Sequence, residues 1–446
     1  MESRRAIVVG LVVVVAFTVF LVLLAEGAYD TWAAVLLAPL LVGVSLPALS
    51  RQALREGDRT VFWILVTALI LKLGGAIARH FVAFDVYEGG ADAAAYDEWG
   101  VQISDRFRDG DFTTGLESLS GTNFIRFLTG VVYTVIGPST LGGFLVYSWL
   151  GYWGLYFFYR AFVVAVPTGR SRSYAKVMFF LPSLLYWPSS VGKEAWMMFT
   201  LGIAAFGIAR MLSGEVGAGA RWAIPGLWLA SLVRPHVAGL MGIGLLVAFL
   251  VRRQDRSLRE VAPIAKGVSL IVLALAAAVL VVKADAFLKD QGIDTSGGVT
   301  STIGQVTERT GQGDSEFSPS IVQSPQRAPI AVATVLFRPL PFEAHNAQAL
   351  MASLESVFLL GFCLWRFRWG LAALRGFRDS PYLAFAMVYV GLFIFAFSGI
   401  ANFGLLARER VQLLPLFLAL FFVPPRDRSI GGRRREEATQ SLRPSA

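Results

Sequence analysis

Cysteine is nearly missing from this chain. Cys363 stands alone among 446 residues, inside an apolar run, so no disulfide and no cysteine-based metal cage can form within one copy. Histidine is scarce too, and the three present are not at metal-ligand spacing, which argues against a His-based zinc site. Charge is thin, at 16% of residues against 55% hydrophobic. Strict apolar–polar alternation is also lacking, which excludes a transmembrane β-barrel. There is no internal repeat, and no soluble domain is expected at either end.

What the chain does have is continuous apolar sequence. Runs such as 6–25, 61–71 and 268–282 are too long and too apolar for a water-soluble core, and the mean hydropathy is +0.59. The expected fold is all-α: a polytopic membrane protein with about 12 transmembrane helices and interfacial helices in two large outer loops. The spans fall near 6–25, 32–50, 60–82, 141–163, 174–188, 194–212, 221–234, 236–252, 262–283, 346–366, 381–400 and 410–424. The first run is longer than a signal-peptide core and has no clean cleavage site, so it reads as a retained helix.

Charge sets the orientation. With both termini cytoplasmic, the inside loops hold Arg51, Arg55 and Arg59, then Arg170, Arg172 and Lys176, then Arg221, then Arg252, Arg253, Arg256 and Arg259, then Arg366, Arg368, Arg375 and Arg378. A basic tail over 426–435 follows. The short outer loops are poor in positive charge, as the positive-inside rule requires. The net charge of +9 and pI near 9.8 therefore point to anionic lipid and not to nucleic acid. The organisation expected is a transmembrane module over 1–255 with an acidic outer loop at 83–140, a second over 256–425 with an outer loop at 284–345, and the tail 426–446.

In the first outer loop, 123–136 is apolar and periodic and is expected to lie along the interface. In the second, 291–324 is low in hydrophobicity and is expected to be mobile or to fold only with substrate. Lys72 is unusually deep in its span: it either pairs with an acid or reaches toward a site.

Once the inside-loop arginines are set aside, a few outer-face charges remain: Asp92, Lys193, Arg234, Arg338, Arg408 and Arg410. Charges at the edge of a hydrocarbon slab are costly, so a converging set suggests a functional site. Asp92 follows Gly89-Gly90-Ala91 and suits a helix N-cap, with Tyr96 one turn on and Asp97 beside it. Such a carboxylate can take a proton from a hydroxyl; it can equally be an ordinary cap in a solvated acidic loop. Lys193 and Glu194 follow a proline-broken stretch. Free backbone N–H groups there and Lys193 suit a phosphate, whereas the plainer reading is a lysine reaching the headgroups. Ser189-Ser190-Val191-Gly192-Lys193 lacks the upstream glycine and strand of a P-loop, which excludes ATP.

Arg234 stands before Pro235-His236, Arg338 before Pro339, and Arg408 and Arg410 follow Asn402-Phe403-Gly404. Arginine's planar fork grips phosphate in two places. A lone arginine at a helix end is most often a lipid anchor, but several on three segments point to a shared anionic ligand. Glu343, His345 and Asn346 suit either sugar orientation and proton transfer or capping of the next helix. No cofactor is demanded. Carboxylates in the first loop suit Mg²⁺ or Mn²⁺ without any spacing that requires them.

This pattern resembles the GT-C class of membrane glycosyltransferases, which use polyprenyl-phosphate-linked sugars. Asp92-Ala93-Ala94-Ala95-Tyr96-Asp97 looks like the acidic motif of that class's first large outer loop. The stretch 127–160 is similar to its interfacial helix and next span, and 228–253, with the Arg-Pro corner, is similar as well. The likeness covers roughly 60–255. It implies Asp92 as catalytic base, basic outer residues on the donor phosphate, a glycan, glycolipid or protein acceptor, and a bacterial plasma membrane. It departs in placing the acidic loop after the third span and in having no large C-terminal domain. The second half, with Arg338-Pro339 through Asn346 and Asn402 through Arg410, also resembles polysaccharide polymerases and O-antigen ligases acting on lipid-pyrophosphate-linked glycans. A transporter of lipid-linked sugars is a third class, one that would carry an internal repeat and midplane charges.

Overall fold

A computed structural model describes residues 29–88, 92–251, 262–311, 316–319, 321–322, 325–344, 346–377 and 380–424. The expected span 6–25, the glycines before Asp92, the inner-loop arginines 252–259, His345, Arg378 and the basic tail lie outside the described residues. Within them the chain is helical, with no strand beyond an isolated bridge between Glu316 and Asn402.

The first helices form an antiparallel set. Helix α1 (Tyr29–Glu56) and α2 (Arg59–Phe81) turn back on each other at Gly57-Asp58, where the Asp58 side chain accepts from Thr60 N and caps α2. After a π-turn (Val82–Val86), α3 (Asp92–Arg108) and α4 (Gly121–Ile136) pair outside that set. Helix α5 (Thr140–Ala165) leaves α4 at 112°. Next come α6 (Ser171–Phe180) and α7 (Pro182–Tyr186), split at Pro182, and then α8 (Lys193–Leu212), α9 (Val216–Ser231) and α10 (Pro235–Val251).

Helix α8 lies at the centre, packed along α5 on one side and α9 on the other. Glycines let these backbones touch. A Cβ placed on Gly154 would lie 2.2 Å from the Met198 carbonyl oxygen, and one on Gly202 would lie 2.2 Å from the Gly154 carbonyl oxygen. Close backbone approach through small residues is how helices associate where lipid gives no hydrophobic drive.

The second half adds α11 (Ala262–Asp290), α12 (Gly298–Thr310), α13 (Ala328–Phe337), α14 (Ala347–Trp365), α15 (Phe367–Arg375), α16 (Pro381–Phe397), α17 (Phe403–Arg410) and α18 (Leu414–Ala419). Helix α10 packs along both α11 and α16, so the expected modules join across residue 255 in one helical body. Leu36, Leu40 and Val44 on α1, and Leu350, Leu354 and Phe358 on α14, are exposed large apolar residues, far more than water tolerates on one surface.

Several helices are thus apolar enough for a membrane, but the expected count of about 12 spans is not reproduced. Among the described residues, four helices qualify by length and composition: Tyr29–Glu56, Arg59–Val86, Lys193–Leu212 and Ala347–Trp365. The bent pair Gly121–Ile136 and Thr140–Ala165 makes a fifth if it is one span. Proline breaks account for part of the difference. Pro182 divides 174–188, Pro415 sits in the first turn of a separate helix (Leu414–Ala419) inside 410–424, and the helix begun at Pro381 ends after 17 residues, while 6–25 lies outside the described residues. Within the stretch 291–324, residues Gly298–Thr310 form a helix whose Thr307 hydroxyl donates to Gly399 O at 2.8 Å, while Ile303 is buried; 312–315, 320 and 323–324 lie outside the described residues.

The basic loops gather at one end of this body. Arg172 pairs with Asp58, the Arg170 N–H donates to Phe422 O, and Arg366 donates to Phe421 O. The start of α3 at Asp92, the start of α8 and the Arg234 corner lie at the opposite end.

Candidate functional site

Three local breaks aim charged side chains at one place. Proline 235 ends the turn after α9, leaving Arg234 at a corner with its guanidinium nearly buried. Helix α8 begins at Lys193, which puts Glu194 in the first turn, where the helix N-terminus favours a carboxylate. Asn402 caps α17 by accepting from Leu405 N at 3.1 Å. At 3.6 residues per turn, the consecutive residues Arg408, Glu409 and Arg410 then point in three directions.

Arg408 bridges Asp92 at 2.9 Å and Glu194 at 2.7 Å. Arg234 bridges the same Glu194 oxygen at 3.0 Å and Glu409 at 2.6 Å. The result is a row of alternating sign: Asp92, Arg408, Glu194, Arg234, Glu409. Glu194 is only 2% exposed. Desolvating charges this far is costly, and alternation is what repays it. Gln412 closes the row by donating to the outer Glu409 oxygen at 2.6 Å. Tyr96, one turn after Asp92, is buried. That burial, with the negative charges of Asp92 and Glu194, pushes its phenol up to about 12.

Beyond Glu409 the row opens into a cavity of about 790 Å³. One end is polar, with Lys193, Arg234, His236 and Glu409. The walls are mostly apolar, from α10, α11, α12 and α16, and include Leu240, Phe287, Ile303 and Phe397. Within the described residues Lys193 makes no ion pair, and one Arg234 nitrogen (Nη1) and His236 Nδ1 are buried without a hydrogen-bond partner. Three donor-capable groups thus face, unspent, the end of an apolar chamber.

The structure brings together Asp92, Tyr96, Lys193, Glu194, Arg234, His236 and Arg408. Of the other expected residues, those the structure describes lie elsewhere. Arg410 is fully buried and donates to Leu336 O at 2.8 Å, Arg338 O at 3.1 Å and Ser356 Oγ at 3.2 Å, with Glu355 3.9 Å away. Arg338 pairs with Glu343 at 2.9 Å and lies over the stacked rings of Phe317 and Phe403. That pair, with the hydrogen bond from Leu340 N, holds the Glu343 carboxyl below its ordinary range against the opposing effect of burial. Asp97 accepts from Tyr133 OH and ties α3 to α4. Asn346 caps α14, accepting from Ala349 N at 2.8 Å. Lys72 neither meets an acid nor reaches the site, since its ammonium donates to Leu184 O at 2.7 Å and Leu185 O at 3.4 Å.

Sequence reasoning missed Glu409 and Glu355. Both sit within strongly apolar or basic surroundings and read as helix-face residues; a lone carboxylate between two arginines, as in Ala407-Arg408-Glu409-Arg410, was the one signal that pointed to Glu409. No family model, curated protein or solved structure matches this chain.

Proposed function

We propose that the protein is an integral membrane glycosyltransferase of the GT-C kind. In this reading it works at the outer face of a bacterial plasma membrane, with the basic end cytoplasmic. It moves a sugar from a polyprenyl-phosphate donor to an envelope glycan, glycolipid or protein. The observation that supports this best is the apolar cavity of about 790 Å³ ending on Lys193, Arg234 and His236. An isoprenoid tail matches the walls, and a phosphate matches the two cations. Asp92 stands at the other end of the same ion row with its side chain 63% exposed, open to a sugar hydroxyl.

The chemistry is a single displacement. The acceptor oxygen attacks the anomeric carbon while Asp92 takes its proton. The bond from that carbon to the phosphate oxygen breaks, and the phosphate leaves with the electron pair. Lys193 and Arg234 stabilise the charge that phosphate gains. Asp92, Glu194 and Glu409 are each paired with an arginine, and the displacement routes no step through a metal.

Lipid extracts from cells with and without the gene test the reading. Loss of the gene should accumulate one polyprenyl-phosphate sugar, and an unchanged lipid pool would refute it. In purified, folded protein, Asp92→Asn should cut turnover by about 10²–10⁴ while donor binding persists. Undiminished turnover would move the assignment to the polymerase- or ligase-like reading, in which Asp92 has no part.

A further inference from the structure

Glu409 is in an odd position for a cavity meant to receive an anion. It lines the polar end together with Lys193, Arg234 and His236. Its Oε1 lies 2.6 Å from Arg234 Nη2, the nitrogen that Glu194 also holds at 3.0 Å. The other guanidinium nitrogen, Nη1, is buried with no hydrogen-bond partner among the described residues. The charged groups around this point are Asp92, Glu194 and Glu409 against Lys193, Arg234 and Arg408, three of each sign. With Glu409 ionised in place, the cluster is neutral and a carboxylate occupies the spot where an incoming anion would meet Arg234.

We propose that Glu409 is a resident stand-in for the ligand's phosphate: it occupies Arg234 when the cavity is empty and gives way to a single-phosphate lipid headgroup. This rests on the reading of the cavity as a lipid-phosphate site and adds a residue that sets its affinity and selectivity. A carboxylate paired with Arg234 keeps the buried guanidinium compensated in the empty state, since an unpaired buried charge is strongly destabilising. It also sets a threshold. A ligand without an anionic head cannot displace Glu409, so an alcohol or neutral lipid of the same length gains nothing from Arg234 Nη2, the nitrogen Glu409 holds. Gln412, which holds the second Glu409 oxygen at 2.6 Å, gives the side chain a second anchor once Arg234 is taken.

The test uses the full chain in lipid nanodiscs, with dodecyl phosphate and dodecanol as probes and a direct binding assay. Removing the competing charge in Glu409→Gln should tighten dodecyl phosphate binding at least about tenfold, given the size of charge–charge terms at this separation. Dodecanol affinity should not change. Glu409→Asp, one methylene shorter and so held less closely by Arg234, should fall between the two; it also serves if the Gln variant fails to fold. Equal or weaker phosphate binding in the variants overturns the stand-in role while leaving the cavity reading intact, as would an equal gain for dodecanol. No dodecyl phosphate binding by the folded wild type or by the variants overturns the cavity reading and this inference together.

Discussion

Lys193 and Arg410 both read in the sequence as outer-face cations at a helix end, yet their surroundings give them opposite work. Lys193 is half-buried, unpaired and faces the cavity. Arg410 is sealed from solvent and satisfies two carbonyls and a serine. Lys193→Met should therefore weaken dodecyl phosphate binding about tenfold or more with little change in thermal stability. Arg410→Met should do the reverse, costing about 3–5 kcal/mol of stability because Glu355 and the carbonyls are left buried without it. Thermal unfolding and binding on the same samples check both; a stable Arg410 variant would refute its structural role. Asp92, Arg234 and Arg408 of the ion row were legible as charges left over after the topology was assigned, and Glu194 as the neighbour of Lys193, but Glu409 was not. What could not be read was which of them turn inward. That depends on the angle at which α17 is held, and Arg408 and Arg410 differ there by two positions on one short helix.

At the scale of elements, the central α5–α8 contact carries the sharpest constraint. A methyl group on Gly154 would lie 2.2 Å from the Met198 carbonyl oxygen, and backbone cannot step aside as a flexible side chain can. Gly154→Ala should cost about 1–3 kcal/mol through overpacking and lower the yield of folded protein, whereas Gly43→Ala, with nothing within 4 Å, should not. Equal stability of the two variants, measured by thermal unfolding, would refute the close-packing argument. Most helices were readable because apolar runs and prolines mark their extents: 32–50 and 194–212 fall inside the observed helices, while 60–82 overshoots its helix by one residue at one end and 346–366 by one residue at each end. The error lay in treating every run as a crossing. Pro182, Pro235 and Pro415 were visible, but whether a proline bends a span or ends it is decided by the neighbouring helices.

At the scale of the whole molecule, the loops tied by Arg172–Asp58 and Arg366–Phe421 share one end, opposite Asp92. Orientation follows from this if the positive-inside rule applies. With Cys363 replaced by alanine, a single cysteine at Thr113 should react with a membrane-impermeant maleimide on intact cells. One at Arg55 should react only after permeabilisation. The opposite pattern would invert the topology and remove the outer-face assignment.

The ion row also has a bearing on how the protein is made. Glu194 and Arg234 lie 40 positions apart and can pair while the chain is still emerging, but Arg408 meets Asp92 across 316 positions. From the addition of Arg234 to that of Arg408, the nascent chain therefore carries an acid–base couple whose partners Arg408 and Glu409 do not yet exist. The segment after residue 402 is what turns that provisional couple into a finished centre. A chain that stops before residue 402 would keep its central helices, including α5, α8 and α9, and still lack the Arg408 and Glu409 that complete the row.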